Sequence, residues 1–398
     1  MTEHSRHRKH WQLDPDLVFL NHGSFGATPT VVLQAQRKLQ DALEQDPIEF
    51  LAPERSLEPK LDHVRQIIAD RVHADPQDVA FVRNATDAVN AVMRSFPFDV
   101  GDELVVTNHG YNACNNAARW AAQRVGAVVR EAKIPFPIES ADEVVAAIQA
   151  ELTDRTRLLL VDHVTSATGL VLPIQRIITM AKSRGIQVMI DGAHAPGMVS
   201  VDLKSLAADY YTANHHKWLC GPKASGFLWV QREHQDAVRP TVISHAANRP
   251  RPNRSRFVAE FDWIGTYDVT PILAMQSAIE FLETLLPGGL TEWMQANRQL
   301  ALDARQLLID ALNIQPPAPI EMIGSLVTLP LPIPSRKGDE KNSVDIDPLQ
   351  SLLYHQHRIE VPVFVGPETA PRLIRISAQA YNHISEYEQL AEILSQHS

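Results

Sequence analysis

A lysine kept from water is the feature of this chain with the clearest chemical meaning. Lys217 lies in Tyr210-Tyr-Thr-Ala-Asn-His-His-Lys-Trp-Leu-Cys-Gly-Pro-Lys223, after a short aromatic run and beside Trp218, Leu219 and Cys220. Burial among such neighbours disfavours the ammonium form, and a neutral amine attacks an aldehyde carbon. The same residue could instead snorkel from a loop, its stem covered and its head in water. Asp191 bears on that choice. It closes the run Ile186-Gln-Val-Met-Ile-Asp191 and opens Asp191-Gly-Ala-His-Ala-Pro-Gly197. A carboxylate at a buried strand end needs a positive partner, which a protonated ring nitrogen would provide. Alone, Asp191 serves equally as a helix cap or a metal ligand. Asn84-Ala-Thr-Asp-Ala-Val-Asn90 places small residues and a hydroxyl at a strand-to-helix turn, where free backbone N–H groups attract an anion. Without context that turn is only an N-cap. Amine, acid and anion turn together answer the aldehyde, ring nitrogen and phosphate of pyridoxal phosphate (PLP).

The elements that must position these residues begin near Val79. Val79–Val82, Glu103–Thr107, Ala127–Val129, Arg157–Asp162 and Ile186–Asp191 are apolar runs of strand length. Between them lie helical stretches at Asp87–Ser95, up to Trp120, at Asp142–Leu152 and at Ile174–Ser183. Continuous Val, Ile and Leu runs alternating with helices predict a mostly parallel sheet buried on both faces. Ligands of such sheets sit beyond the carboxyl ends of the strands. After Thr270-Pro271 the texture changes. Ile272–Leu286 and Leu290–Leu312 read as helices, Pro330–Asp347 as a surface loop, Ile359–Val365 and Leu373–Ser377 as strands, with a last helix from Ser385. The expected division is a flexible arm over 1–16, a large α/β domain over 17–270 and a small α+β domain over 271–398 with an interdomain helix.

Composition narrows the class of protein. The 398 residues carry 37 Lys+Arg against 47 Asp+Glu, a net charge of −10, so the broad basic face of a nucleic-acid binder is not expected. No apolar run reaches the roughly 18 residues of a membrane span. The opening MTEHSRHRKHW is basic but lacks an apolar core, so a secretory signal is not read and a cytoplasmic enzyme is expected. Two cysteines, Cys114 and Cys220, exclude a disulfide scaffold and a four-cysteine zinc site.

Five motifs in order carry a family resemblance: Leu20-Asn-His-Gly-Ser-Phe-Gly-Ala-Thr-Pro29, Asn84-Ala-Thr86, Asp191-Gly-Ala-His194, His216-Lys217-Trp218 and Gly265-Thr266. Over about Leu17 to Ser377 the chain resembles the class V aminotransferases, PLP enzymes of fold type I, and within them the isopenicillin N epimerase-like branch. The resemblance implies that Lys217 holds the cofactor covalently, Asp191 partners the ring nitrogen and His194 reaches the phenolic oxygen. Ala85 and Thr86 match the phosphate turn, with Asn214 and His216 as further phosphate contacts and Ser166 as a cofactor contact. Gly265-Thr266 matches a turn given by the neighbouring subunit of a homodimer. Tyr111 falls where relatives stack a ring on the cofactor, with His109 as competitor. Arg375 matches the arginine that grips a substrate carboxylate, with Asn21 and Ser24 beside it; an interdomain ion pair is the other reading of Arg375.

The expected substrate is a small amino-acid-like molecule worked at its α-carbon. Epimerisation would need a second proton donor, for which Tyr111 is the candidate; C–S lyase, transaminase and catalytically inactive PLP-binder readings stay open. No cysteine follows Cys220, so the sulfur carrier of cysteine desulfurases is missing, and both cysteines read as packing residues. His194, His215 and His216 could be drawn as a zinc site, but PLP accounts for them, and no metal is expected. The basic run Arg249–Arg256 lacks interleaved aromatics and reads as an active-site rim or a solvated loop rather than an RNA surface.

Overall fold

The computed structural model describes residues 4–332, 346–367 and 372–396. Its strands, in chain order, are β1 (Val18–Phe19), β2 (Val79–Val82), β3 (Glu103–Thr107), β4 (Val128–Ala132), β5 (Thr156–Asp162), β6 (Gln187–Asp191), β7 (Tyr210–Asn214), β8 (Gly226–Val230), β9 (Leu326–Pro330), β10 (Ile359–Glu360), β11 (Val363–Val365) and β12 (Arg372–Ser377). Seven of them form one sheet in the order β2-β8-β7-β6-β5-β3-β4. It is parallel except for β8, which runs against both neighbours. Leu158, Leu159, Val161, Val188 and Ile190 are fully buried, as strands covered on both faces require. Each such side chain contributes on the order of 1.5–3 kcal/mol over its exposed state.

Register is what builds the site. Asp162 stands opposite Asp191, and Asp191 opposite Thr212, so the carboxyl ends of β5, β6 and β7 lie side by side. The helices Ala85–Ser95, Asn112–Val125, Ala141–Glu151 and Ile174–Lys182 cover the sheet. The first is capped by Asn84, whose Oδ1 accepts from Asp87 N at 2.9 Å.

The second unit is a three-stranded antiparallel sheet, β11-β12-β9, with the helix Gly289–Leu312 packed on β9 and the helix Ile384–Ser395 packed on that helix. The N-terminal segment belongs here too, because β1 pairs in parallel with β10. The flexible arm expected over 1–16 is therefore not what residues 4–16 form. Trp11 is buried, edge-on to Tyr381 and Phe281, with Nε1 donating to Ala27 O at 3.1 Å. Arg8 Nη2 donates to Leu17 O, and His4 Nδ1 lies 2.8 Å from Glu386. One indole covering a large apolar area outweighs the charge around it.

Two further differences are local. The helix expected over Ile272–Leu286 is two, Thr270–Leu273 and Met275–Thr284, and most of the loop expected over Pro330–Asp347 lies outside the described residues. The basic run Arg249–Arg256 is in part a solvated loop, with Arg249, Pro252 and Asn253 exposed, but its later arginines are paired. Arg251 pairs with Glu58, Arg254 with Asp262 and Asp62, and Arg256 with Glu260. Both carboxylate oxygens of Asp262 also accept from one nitrogen, Nη2, of the buried Arg65, at 2.7 and 2.8 Å. Among the described residues, no helix is long and apolar enough to cross a membrane.

Candidate active site

Beyond the carboxyl ends of β5, β6 and β7 lies a cavity of about 280 Å³. Its wall includes Ser24, Ala85, Thr86, Tyr111, Ser166, Asp191, His194, Asn214, His216 and Lys217, brought together from across the sequence. The lysine loop following β7 is pressed from two sides by backbone. A Cβ on Gly26 would meet His216 O at 1.9 Å, and one on Gly197 would meet Trp218 O at 2.4 Å; both glycines have positive φ. His22 Nε2 lies 3.0 Å from Lys217 O and its Nδ1 2.8 Å from Tyr381 Oη, fixing the loop from the small unit. Burial pushes His22 down to about 3, so it acts as a neutral clamp.

Lys217 Nζ is 2.8 Å from His194 Nε2, and Trp218 Nε1 sits 3.2 Å from His194 Nδ1. An indole N–H can only donate, so Nδ1 must carry the lone pair. Burial, reinforced by Lys217, holds His194 well below its usual range, and a neutral ring then bears its proton on Nε2. That N–H finds an acceptor in Nζ whenever Lys217 is unprotonated. Burial lowers Lys217 to about 8, against the pull of Asp191 in the other direction, which brings the neutral amine within easy reach while the ammonium form still predominates at pH 7.

Asp191 is buried, with Oδ1 accepting from Ala193 N at 3.0 Å and Oδ2 from Cys114 Sγ at 3.2 Å. Cys114, expected only to pack, therefore touches the acid at the centre of the site. Asp162 was missed. It is buried beside Asp191 and receives the backbone N–H groups of Tyr111 and Ser166, while burial and Asp191 raise it well above the usual carboxyl range. The signal was present, since Asp162 closes Arg157–Asp162 as Asp191 closes its own strand.

Asn214 Oδ1 accepts from Ala85 N at 2.9 Å, which joins the lysine strand to the first turn of the helix Ala85–Ser95. His216 Nδ1 is buried without a protein partner, and burial lowers that ring to about 4. Tyr111 is 45% exposed and lines the cavity. His109 is buried, its ring nitrogens engaged with Thr168 Oγ1 and Ile134 O, and it does not line the cavity.

Arg375 comes from β12 and is buried behind the wall residues Ser24 and Ser166, without lining the cavity itself. Nη1 donates to Ser166 O and, at 3.4 Å, to Ser166 Oγ, while Nη2 donates to Ser24 Oγ at 3.1 Å. Its Nε has no partner, and burial lowers the group to about 10, with Tyr111 the one opposing influence. The arginine does bridge the units, but through neutral oxygens rather than through the ion pair weighed from the sequence. Asn21 lies one hydrogen bond further back, on Ser24 Oγ at 2.6 Å, and is not on the cavity wall. Gly265 and Thr266 are also away from this wall. Thr266 is exposed, whereas Phe261 of the same segment is buried in its own chain.

The residues fit PLP on chemistry visible here. An amine of lowered basicity shares the cavity wall with an acid, and two buried nitrogens, His216 Nδ1 and Arg375 Nε, lack partners among the described residues. A lysine after a parallel-sheet strand, with a strand-end acid beside it, defines a PLP-dependent enzyme of fold type I. The chain belongs to the aminotransferase class-V family, whose family model matches residues 21–330. It is 34% identical to the isopenicillin N epimerase of Amycolatopsis lactamdurans, over 98% of this chain and 97% of that one. It is 31% identical to a probable chloroplastic L-cysteine desulfhydrase of Arabidopsis thaliana, over 96% and 83% of the two chains. The fold matches the cystine C–S lyase C-DES solved with its product cysteine persulfide, with a TM-score of 0.79, 21% identity and coverage of 96% and 98%.

Proposed function

We propose that this enzyme removes and returns the α-proton of an amino acid whose carboxylate is gripped by Arg375, as an isopenicillin N epimerase-like enzyme. The observation that carries this is a buried guanidinium with no acid beside it among the described residues, held by two cavity-wall serines near an amine of lowered basicity. A buried cation without a counter-charge is costly unless an anion arrives, and a carboxylate matches the planar fork.

When bound, PLP supplies an electron-withdrawing ring that accepts the electron pair left at the α-carbon. Lys217 anchors it and, once free, carries the α-proton on Nζ. Asp191 would partner the ring nitrogen, and its bonds to Cys114 and Ala193 keep it oriented. The Nε2–H of His194, which now meets Nζ, is the donor for the phenolic oxygen. Ala85, Thr86, Asn214 and His216 form the phosphate end, completed by Gly265-Thr266 of a second copy in a homodimer. Tyr111, exposed on the cavity wall, would be the residue to stack on the cofactor and to supply a second proton. The similarity to L-cysteine desulfhydrases supports a second reading, in which the same α-proton loss is followed by departure of a β-sulfur group.

The test is to incubate the PLP-loaded enzyme in deuterated water with L- and D-amino acids and thioethers. Exchange at Cα that disappears in Lys217→Ala is expected. Racemisation without keto acid selects the epimerase reading; pyruvate with sulfide selects the lyase. Absence of α-exchange with every substrate would refute both.

A further inference from the structure

Three hydrogen bonds in series lead from the buried guanidinium to a carboxylate on a neighbouring strand. Arg375 Nη2 donates to Ser24 Oγ at 3.1 Å, Ser24 Oγ donates to Asn21 Oδ1 at 2.6 Å, and Asn21 Nδ2 donates to Glu360 Oε1 at 2.8 Å. A guanidinium has no acceptor and a carboxylate has no donor, so the two ends set the direction of every bond between them. The single proton of Ser24 is thereby committed to Asn21, and the Asn21 amide is held in one orientation. Ser24 has nothing left to donate to a substrate.

The backbone ties the same residues together. Glu360 lies on β10, opposite Phe19 of β1, and its carbonyl accepts from Leu20 N at 3.0 Å. Leu20 O in turn accepts from Ser377 N, at the end of the strand that carries Arg375. The side-chain series therefore closes a loop whose other limb is main chain.

We propose that Glu360 is a positioning residue which, through Asn21 and Ser24, aims the Arg375 fork at the substrate carboxylate while leaving its charge unpaired. An acid placed directly on the guanidinium would occupy the donors that the substrate needs. Set back by two polar side chains, the acid orients the fork and keeps Nε free. This rests on the reading of Arg375 as the carboxylate site, and it replaces direct substrate contact by Asn21 with support at one remove.

Butyrate, a carboxylate without an amine, is the probe. Its binding to PLP-loaded protein is measured by calorimetry for the wild type and for Arg375→Lys, Glu360→Leu, Glu360→Gln and Asn21→Val. Loss of one charge-assisted hydrogen bond in the series predicts roughly 5- to 20-fold weaker butyrate binding for Glu360→Leu. KM for an amino acid that exchanges its α-proton should rise by a like factor, with kcat within about twofold. Glu360→Gln keeps an acceptor for Asn21 Nδ2 and should return to near wild type. Asn21→Val should match Glu360→Leu, and the double variant should be no worse than either, as members of one series require.

Cofactor content and melting temperature should hold throughout. The relay is overturned if Glu360→Leu and Asn21→Val bind butyrate as the wild type does, if Glu360→Gln fails to rescue, or if the Leu and Val variants both lose PLP or melt early. Should Glu360→Leu alone fail to fold, Asn21→Val decides. If Arg375→Lys leaves butyrate binding intact, the carboxylate site itself is misplaced, which separates the two failures.

Discussion

Replacing Lys217 by Met should make the PLP-free protein more stable at neutral pH, although it removes the residue on which activity depends. Burial holds the lysine at about 8 rather than its ordinary 10.5. At about 1.4 kcal/mol for each factor of ten, the folded state gives up roughly 3 kcal/mol of preference for the ammonium form. The unfolded chain keeps that preference, so folding carries the penalty. The penalty is fully present below the folded value near 8, shrinks as pH rises towards 10.5, and is gone above it.

Methionine fills a similar volume with no charge to desolvate, so Lys217→Met should gain roughly 3 kcal/mol below pH 8 and lose that advantage by pH 10.5. Unfolding entropy scales with chain length, and for a chain this long 1 kcal/mol moves Tm by about 1 °C. The expected gap is therefore about 3–4 °C at pH 7 and close to zero at pH 10.5. Scans of both PLP-free proteins at one rate across that range measure it, and groups common to both cancel in the difference. A Met variant no more stable at pH 7, or a gap that does not change with pH, would refute the lowered basicity of Lys217 and its cause in burial.

Arg375→Lys keeps a charge but loses the fork and should raise KM about tenfold or more, with PLP content unchanged in the visible spectrum. Cys114→Ala removes the thiol donor from Asp191 and should alter the pH dependence of the PLP absorbance band, while stability falls by only about 1–2 kcal/mol. Asp262→Ala strands Arg65 and Arg254 and should cost roughly 3–5 kcal/mol by thermal or urea melting without changing KM. Subunit exchange between Lys217→Ala and a bulky Thr266 variant should restore up to half the activity per mixed dimer, since one site would carry both lesions and the other neither; verified mixed dimers without recovery would remove Thr266 from the partner's site.

The sheet was legible because strands buried on both faces must be written as unbroken apolar runs. Val79–Val82, Glu103–Thr107 and Arg157–Asp162 therefore announce themselves without periodicity. Strand-end acids and the lysine were legible for a related reason: a charge inside such a run has no bland explanation. Asp162 meets that criterion too, but no motif follows it as Gly192-Ala-His194 follows Asp191, so the sequence marks it less strongly. The Cys114–Asp191 contact could not be read, since it depends on how a helix lies on a strand well apart from it in the chain. The arm over 4–16 misled because its charges are local, whereas the aromatic surface that receives Trp11 is assembled from Phe281, Trp293 and Tyr381.

The histidines explain why so crowded a site keeps its charges in order. His22, His194 and His216 lie around Lys217, and burial depresses all three, so none contributes a positive charge at neutral pH. Had even one been an imidazolium, it would have repelled both the ammonium form of Lys217 and the guanidinium of Arg375. As neutral rings they act as directional donors and acceptors: His22 on the Lys217 carbonyl, His194 on Nζ, His216 with one nitrogen still open. That leaves Arg375 as a fixed cation, Lys217 as an amine that titrates near the working range, and Asp191 and Asp162 as the acids of the cavity wall. A fixed cation selects a carboxylate, and an amine that can change its proton can deliver one. The chain spends its buried polarity on keeping those two roles on different residues.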